Sequence, residues 1–390
     1  MVVIEAFGAR WVLDVSGLDE ALARELVHLW DRATGIPASG ESLSADACPP
    51  FVVTRTAEGW VEVDGSAQPT SDPDVPYRVS RRLTHASILR RSGQCVMLHA
   101  AGVATDDGGT VALVAASGTG KTTAGRVLGR RLGYVSDETV AVEHDLTVRA
   151  YPKPLSIVVD PASPSVKHER SPDDLRLRRA PRSLRLSAVV VLERSDDAVV
   201  PTLEPIGLVE AMGVVLPQTS ALPSLDRPLD RLARVLAAGH GPYRLRYRDI
   251  DDCVDLVGDL AHAGVRTAPE EQDVVWTWVA GPRPSATAEP APEPASVTPP
   301  DDIALSTTVW RSDFRDAVVC DGSVLLLSRD GRPITLPGLA ATLWLSADAP
   351  RTVGDLVGAA TARIGSHPDA EALVLATART LVGHGVLRAG

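Results

Sequence analysis

The chain has 390 residues, of which 44% are hydrophobic and 4% aromatic, so it can bury two or three domain-sized cores built mainly from aliphatic side chains. Its formal net charge is −11. Sequence-independent binding to nucleic acid or to an anionic membrane draws on an excess of Lys and Arg, so the composition argues against both partners. No run approaches the ~18 apolar residues of a membrane span.

The cysteines and the N-terminal residues bear on the compartment. Cys48, Cys95, Cys253 and Cys320 lie far apart, without a CxxC pair or a nearby histidine cluster, so neither a zinc site nor a disulfide framework is indicated. Residues 1–15 alternate apolar and polar side chains, as a strand does, and lack the basic and then apolar order of a signal peptide. We therefore predict a cytoplasmic protein.

Strand and helix patterns alternate through the first 280 residues. Residues 1–90 are predicted to form strands around one helix at 18–33. The following predicted elements are a strand at 96–104, a turn at 105–109, a buried strand at 110–115, a helix at 124–132, a short strand at 134–136, a hairpin at 140–151, an extended segment at 151–159, a strand at 186–192, and helices at 229–238 and 253–263.

A proline-rich stretch marks the clearest domain boundary. Residues 281–300 contain seven prolines, which remove backbone donors and favour an extended, semi-rigid linker. We predict an N-terminal accessory α+β region at 1–94, an α/β domain at 95–280, a Pro/Ala-rich linker at 281–302 and a C-terminal α+β domain at 303–390.

Residues 115–122, AASGTGKT, match the P-loop pattern between an apolar strand and a helix, the context in which this pattern is specific. Glycines let the loop turn tightly and aim its N–H groups at phosphates, and the helix N-terminus adds a positive field. Lys121 is expected to reach the β- and γ-phosphates and Thr122 to bind Mg²⁺. A glycine-rich turn that binds nothing is the alternative. The predicted nucleotide-binding residues here are Ser117, Gly118, Thr119, Gly120, Lys121, Thr122 and Thr123.

The residues around the P-loop narrow the chemistry. His99 lies just before the P-loop strand, and Asp137 and Glu138 follow the strand after the P-loop helix. Across residues 95–159 this combination resembles the HPr kinase/phosphorylase superfamily, α/β P-loop kinases that use ATP and Mg²⁺. The resemblance implies that Asp137 accepts the proton of the attacking hydroxyl, that both acids join Thr122 at the metal, and that His99 lies near the phosphates. From the residues alone, His99 as a core histidine and Asp137 as a turn residue remain alternatives.

The chain departs from the bifunctional members of that superfamily. It lacks their Glu-x-Arg-Gly-Leu-Gly segment and has YPKPLSI at 151–157 instead, a stretch that resembles HPr kinase-like proteins encoded with peptide-modification genes. Lys153 is then a candidate second phosphate contact, or else a solvated loop lysine. A basic stretch at 166–186 is either a capture loop for anionic groups or a solvated surface.

The C-terminal residues 303–390 are predicted to form three short strands and then three helices. This order, with Leu343-Trp344 on the first helix, resembles the winged-helix-like PqqD domains that bind leader peptides of ribosomally made, post-translationally modified peptides. The resemblance implies that a leader adds a strand beside 323–329 and packs on the last helix. An oligomerisation domain is the alternative. The implied contacts are Ser323, Leu325, Leu327, Arg329, Leu373, Thr377 and Leu381.

Together these features predict an ATP-dependent kinase for a Ser or Thr hydroxyl of a precursor peptide. Its expected partners are that peptide and other peptide-modifying enzymes, with homo-oligomerisation left open and no nucleic acid or membrane partner. Two alternatives remain, a kinase for a small molecule or free amino acid and a non-catalytic ATP-binding adaptor. The acceptor residue, the leader sequence and the choice between ATP and GTP are not determined by the sequence.

Overall fold

A computed structural model describes residues 1–34, 48–66, 70–116, 118–158, 167–239, 241–264, 276–282 and 299–390. The fold is mixed α/β with several sheets. The chain divides into two compact units, Met1–Asp226 with Arg234–Glu270, and Arg227–Ala233 with Glu271–Gly390. None of the described helices is long and apolar enough to cross a bilayer.

The first unit begins with a four-stranded sheet. Its helix is shorter than predicted, Glu20–Leu29, and starts where the Asp19 carboxylate accepts a hydrogen bond from the backbone N–H of Leu22. A 3₁₀ turn, Asp31–Ala33, follows it. The helix packs Leu26 against the sheet core. The strands, in sheet order, are Val2–Ala6, Ala9–Gly17, Pro50–Arg55 and Val61–Val63.

A second helix, Val75–Arg91, follows this sheet, so the prediction of one helix within residues 1–90 was wrong. Its buried positions include Ser80, Thr84 and Ser87, which interrupt the apolar stripe that identifies a helix in a sequence. Pro76 in the first turn is compatible with a helix start, because the missing N–H has no intrahelical partner there.

The predicted strand at 96–104 divides at His99. The backbone N–H of His99 donates to the carbonyl of Gln218, and the chain passes there from one sheet into another. The smaller sheet consists of Val148–Arg149, Val140–Val142, Val96–Leu98 and Thr219–Ser220 in that order. A two-stranded sheet pairs Leu155–Val158 with Lys167–Arg170.

The largest sheet within the described residues has seven strands. The P-loop strand Gly109–Val114 is buried along its whole length and runs parallel to Arg185–Arg194. In sheet order the strands are Arg178–Arg179, Gly133–Ser136, Ala100–Ala104, Gly109–Val114, Arg185–Arg194, Tyr243–Tyr247 and Thr202–Pro205. The helices that follow the P-loop are Lys121–Leu128, Leu208–Val215, Pro228–Leu236 and Val254–Gly264, with 3₁₀ turns at Leu216–Gln218, Leu222–Ser224 and Ile250–Cys253.

The second unit has one more strand after the hairpin than the sequence predicted. Pro333–Pro337, expected to begin with a turn, is an outer strand, and prolines are tolerated on outer strands because one edge needs no donor. The strand Thr277–Ala280, inside the predicted 95–280 domain, forms the opposite edge of this sheet. The sheet order is Thr277–Ala280, Phe314–Cys320, Ser323–Ser328 and Pro333–Pro337.

Three helices follow, as predicted: Gly338–Ser346, Val353–Ile364 and Ala370–Gly383. Thr352 and Asp355 form a capping box at the second helix. A small sheet of Arg351–Thr352, Thr308–Arg311 and Leu387–Ala389 completes the unit. Of the predicted linker 281–302, residues 283–298 lie outside the described residues.

Candidate active site

The P-loop connects the buried strand Gly109–Val114 to the helix Lys121–Leu128. Gly118 and Gly120 have φ angles of 81° and 99°, in the left-handed region that favours glycine. A Cβ atom at Gly118 would meet nothing within 4 Å, so backbone conformation rather than space requires glycine there. The Lys121 Nζ donates to the Ala115 and Ala116 carbonyls at 2.7 and 3.1 Å. Ser117 lies outside the described residues.

A cavity of about 450 Å³ opens at this loop and gathers residues from distant parts of the first unit. Most of the predicted site lies in its walls, whereas the Thr119 hydroxyl donates to the Ala116 carbonyl within the loop. The predicted residues that line the cavity are His99, Gly118, Gly120, Lys121, Thr122, Thr123, Asp137, Glu138 and Lys153.

The acidic pair, Asp137 and Glu138, comes directly after the strand Gly133–Ser136, at the end of a strand as the sequence predicted. The Ser136 hydroxyl accepts from the backbone N–H groups of Glu138 and Thr139 and holds the turn that carries the pair. Gly125 lets the P-loop helix approach, since a Cβ atom there would lie 3.4 Å from the Cβ of Asp137. The phosphate loop and the acidic pair are therefore held against each other by packing.

Lys153 is buried and neutralises the acidic pair. Its Nζ lies 3.4 Å from Asp137 Oδ1 and 3.2 Å from Glu138 Oε2, and it donates to the Pro154 carbonyl at 2.8 Å. Burial lowers the pKa of Lys153, but the charges of Asp137, Glu138 and Glu169 outweigh it and raise the pKa well above its ordinary value. A solvated loop lysine does not fit, because the side chain is buried among these partners. Lys153 also lines the P-loop cavity, so a contact with phosphate stays a prediction.

Tyr134 lies beside the same carboxylate. Its buried hydroxyl donates to Asp137 Oδ1 at 2.9 Å. Burial and the adjacent Asp137 charge raise the pKa of Tyr134 well above its ordinary value, so the phenol stays protonated as a donor. Tyr134 and Lys153 both contact Oδ1, and no described residue hydrogen-bonds Oδ2. One carboxylate oxygen thus anchors Asp137, and the other can accept a proton.

His99 is half-buried in the cavity wall. Burial, together with the positive charge of Lys121, lowers its pKa, although Glu138 and Asp137 oppose the shift. The imidazole is therefore neutral at pH 7, and it can contact a phosphate oxygen through a ring N–H.

Several residues that line the cavity belong to no sequence motif and were not predicted. Tyr77, Ser80 and Arg81 come from the helix Val75–Arg91, and Ser156 from the strand Leu155–Val158. The sequence feature that could have indicated them is the set of polar residues on the helix Val75–Arg91.

The buried carboxylate of Glu169 joins two of these elements. It accepts hydrogen bonds from the hydroxyls of Ser80, at 3.2 Å, and Ser156. Burial raises the pKa of Glu169, while the charge of Lys153 opposes that shift. Glu169 therefore ties the helix Val75–Arg91 to the strand that follows Lys153.

The basic stretch at 166–186 does not assemble around the cavity. Arg178 pairs with Asp106 at 3.0 Å and Arg179 with Asp173 at 3.2 Å. Lys167 is among the lining residues, whereas the arginines of the stretch are not: Arg170, Arg176, Arg178, Arg179, Arg182 and Arg185. A capture loop made of the whole stretch is therefore not what the fold produces.

The donor set for magnesium is incomplete without phosphate oxygens. Within the described residues, no group of three His, Cys, Asp or Glu side chains could hold a metal ion. Thr122, Asp137 and Glu138 do line one cavity. Mg²⁺ is typically bound by one or two carboxylates together with substrate phosphates, so this hydroxyl and acidic pair fit that ion in type.

The predicted peptide contacts do not form one exposed surface. Ser323–Ser328 pairs with a strand on each side, so it has no free edge for an added strand, contrary to the expectation from sequence. Leu325, Leu327 and Leu381 are buried. Leu373 is 45% exposed, whereas Thr377 is half-buried, its hydroxyl donating to the Leu373 carbonyl at 2.8 Å. The Arg329 side chain donates to the Pro282 carbonyl.

The strand, loop and helix around Lys121 share one cavity with the acidic pair, within a mixed α/β fold. No protein-family model matches the chain, and no curated protein matches it. Among solved structures, the HPr(Ser) kinase/phosphatase from Coxiella burnetii is similar, with 11% sequence identity over 43% of this chain and 93% of that chain and a TM-score of 0.23. A likeness at this TM-score does not establish a common fold, so the geometry of the site alone indicates the function.

Proposed function

We propose that the chain is an ATP-dependent phosphotransferase that phosphorylates a Ser or Thr hydroxyl of a precursor peptide. The observation that carries the proposal is the shared cavity of Lys121 and Asp137, which puts a phosphate-binding lysine and an anchored carboxylate at one site. Phosphoryl transfer needs little covalent help, but it needs charge neutralisation at the phosphates and a positioned group at the nucleophile.

Each group in the cavity has a distinct task. The P-loop N–H groups and Lys121 bind the β- and γ-phosphates, and His99 contacts them as a neutral donor. Thr122 and the acidic pair would hold Mg²⁺, which would supply further charge neutralisation at the phosphates. Asp137 orients the acceptor hydroxyl through Oδ2 and takes its proton.

The acidic pair would repel an incoming triphosphate if it were uncompensated. Lys153 offsets one of the two negative charges from inside the protein, at 3.4 Å from Asp137 and 3.2 Å from Glu138. We assign Lys153 this neutralising role. The P-loop then contributes positive potential to the cavity, together with Arg81, Arg126 and Lys167 in its lining.

The second unit is the reason for proposing a peptide as the acceptor. Strand addition requires an unpaired edge, and in the sheet that contains Ser323–Ser328 the outer strands are Thr277–Ala280 and Pro333–Pro337. We assign leader binding to an outer strand of this sheet, in place of the segment 323–329 expected from the sequence. The proline-rich connection would raise the local concentration of the tethered acceptor near Asp137.

Intact-mass measurement tests the proposal. The full chain is incubated with ATP, Mg²⁺ and a leader-bearing precursor peptide, and we expect the peptide to gain a phosphoryl group. Lys121→Ala and Asp137→Asn should both abolish this gain, with Asp137→Asn retaining nucleotide binding. Asp174→Asn, which removes an exposed carboxylate paired with His28, is the matched control and should remain active.

The same assay separates the alternatives. Equal rates with leader-bearing and leaderless acceptors would favour a kinase for small molecules or free amino acids and would overturn leader delivery. Full product formation by Asp137→Asn in the reconstituted pathway would favour a non-catalytic, ATP-binding adaptor and would overturn the phosphotransferase assignment.

A further inference from the structure

A second cavity, of about 320 Å³, lies in the first unit and shares no lining residue with the P-loop cavity. It is enclosed by the first hairpin, the end of the helix Val75–Arg91 and the hairpin that follows the acidic pair. Its charged lining consists of Arg10, Arg90, Arg91, Arg149, Glu5 and Glu143.

Four guanidinium groups face two carboxylates in this cavity, an excess of two positive charges on a chain whose net charge is −11. Glu5 forms an ion pair with Arg10, with 3.0 Å between Glu5 Oε2 and Arg10 Nε. Glu143 is shared, since its Oε1 lies 2.5 Å from Arg91 and 3.1 Å from Arg149. One carboxylate thus pairs with two arginines. The cavity lining therefore keeps uncompensated positive charge that a further anion can neutralise.

Arg90 adds a cation with no carboxylate partner among the described residues. Its guanidinium lies 5.4 Å from the centre of the Trp11 ring. The Trp11 indole N–H donates to the Ser87 hydroxyl at 2.9 Å, so the ring is fixed beneath the arginine. A cation–π contact orients a guanidinium but leaves its charge unneutralised.

The guanidinium group of Arg91 is fixed in one orientation by hydrogen bonds. One terminal nitrogen donates to Gln94 and the other to Glu143, while Nε is buried and has no hydrogen-bond partner among the described residues. Gly8, at φ 91°, brings the hairpin turn against the guanidinium, since a Cβ atom there would lie 3.4 Å from Arg91 Cζ. The side chain has therefore lost its freedom before any ligand arrives, which lowers the entropy cost of binding.

We propose that this cavity is a binding site for a small phosphate-bearing anion, separate from the P-loop. Guanidinium groups match phosphate oxygens through paired N–H donors, and the uncompensated charge is near that of a phosphate dianion at neutral pH. The volume exceeds what inorganic phosphate needs and is in the range of small-molecule sites, so the natural ligand is a small phosphate monoester.

Titration calorimetry with inorganic phosphate, at constant ionic strength, tests the site. The full chain carries Lys121→Ala in every sample, which weakens phosphate binding at the P-loop. We expect saturable binding that Arg90→Gln with Arg149→Gln weakens at least tenfold. Binding at the P-loop backbone would be unaffected by these two changes.

The matched control removes the same charge elsewhere. Arg24→Gln with Arg363→Gln alters two exposed arginines outside the cavity and should leave phosphate affinity within twofold. The unfolding midpoint of each variant without phosphate establishes that it is folded. Absence of binding that depends on Arg90 and Arg149, or an equal loss in the control, would overturn the site. Either result is independent of kinase activity, because Lys121→Ala is present throughout.

Discussion

The hydroxyl of Tyr134 donates a 2.9 Å hydrogen bond to Oδ1 of Asp137, three residues further along the chain. Lys153 contacts the same oxygen from the segment that follows the hairpin. A carboxylate held by two buried donors at one oxygen cannot rotate freely, so Oδ2 presents a fixed direction to the cavity. Positioning of this kind is a substantial part of how phosphoryl-transfer enzymes act.

Tyr134→Phe should therefore lower kcat about tenfold while leaving the KM for ATP within about twofold, because the ring still fills its place and only the positioning hydrogen bond is lost. Steady-state kinetics over a range of ATP concentrations measure both constants. Tyr243→Phe, a tyrosine on another strand of the same sheet, is the control. A rise in the KM for ATP with an unchanged kcat would assign Tyr134 to nucleotide binding and contradict this role.

Lys153→Met should destabilise the first unit by about 3–5 kcal/mol, since it leaves Asp137 and the partly buried Glu138 without their shared cation. Denaturant unfolding measures the loss. Adding Glu138→Gln to Lys153→Met should restore part of it, because one repelling charge is then gone. An unfolding free energy equal to that of the unmodified chain would show that Lys153 is not the counter-ion of the pair.

Local patterns explain which parts of the site could be predicted from the sequence. The P-loop follows from a strand, a glycine-rich turn and a helix that are contiguous in the chain, whereas Asp137 and Glu138 were inferred from the resemblance. Lys153 was predicted as a phosphate contact or a solvated loop lysine, and its ion pairs with Asp137 and Glu138 were not anticipated, because they form only when the chain folds back. Ion pairing of that kind depends on tertiary packing, which a spacing pattern does not encode.

The errors have a similar origin. The helix Val75–Arg91 was missed because Ser80 and its polar neighbours face the protein interior, where Ser80 meets Glu169. In the second unit, the strand Pro333–Pro337 was missed because a turn was predicted at Arg332-Pro333, yet an outer strand tolerates prolines. Whether a strand is central or outer depends on its partners, so the free edge of that sheet could not be identified from the sequence.

His99 should make stability fall in mild acid. Burial and the Lys121 charge lower its folded-state pKa, so near pH 6.5 and below the unfolded chain binds the proton more tightly than the folded chain does. Stability contributed by the neutral imidazole is present above that pH and is lost as pH falls. Unfolding experiments at pH 7.5 and 5.5 should show a smaller loss for His99→Gln than for the unmodified chain. His367→Gln, an exposed histidine, should behave like the unmodified chain.

Asp316 should have the opposite dependence in the second unit. Its buried carboxylate accepts hydrogen bonds through Oδ2 from the Leu229 backbone N–H at 3.0 Å and the Trp278 indole at 3.2 Å, while Oδ1 has no hydrogen-bond partner in the described part of the chain. Burial raises its pKa to about 6, against hydrogen bonds that lower it. The folded chain therefore binds this proton more tightly than the unfolded chain. The resulting stability is fully present below about pH 4 and is lost as pH rises through 6.

Asp316→Asn keeps the acceptor oxygen and removes the buried charge, so it should stabilise the second unit at pH 7.5 and lose that advantage at pH 5. Denaturant unfolding followed by tryptophan fluorescence is suited to this test, because the Trp278 indole contacts the altered group directly. Asp348→Asn, an exposed carboxylate, should change stability little at either pH. A gain for Asp316→Asn that is equal at both pH values would mean that ionisation of Asp316 is not its source.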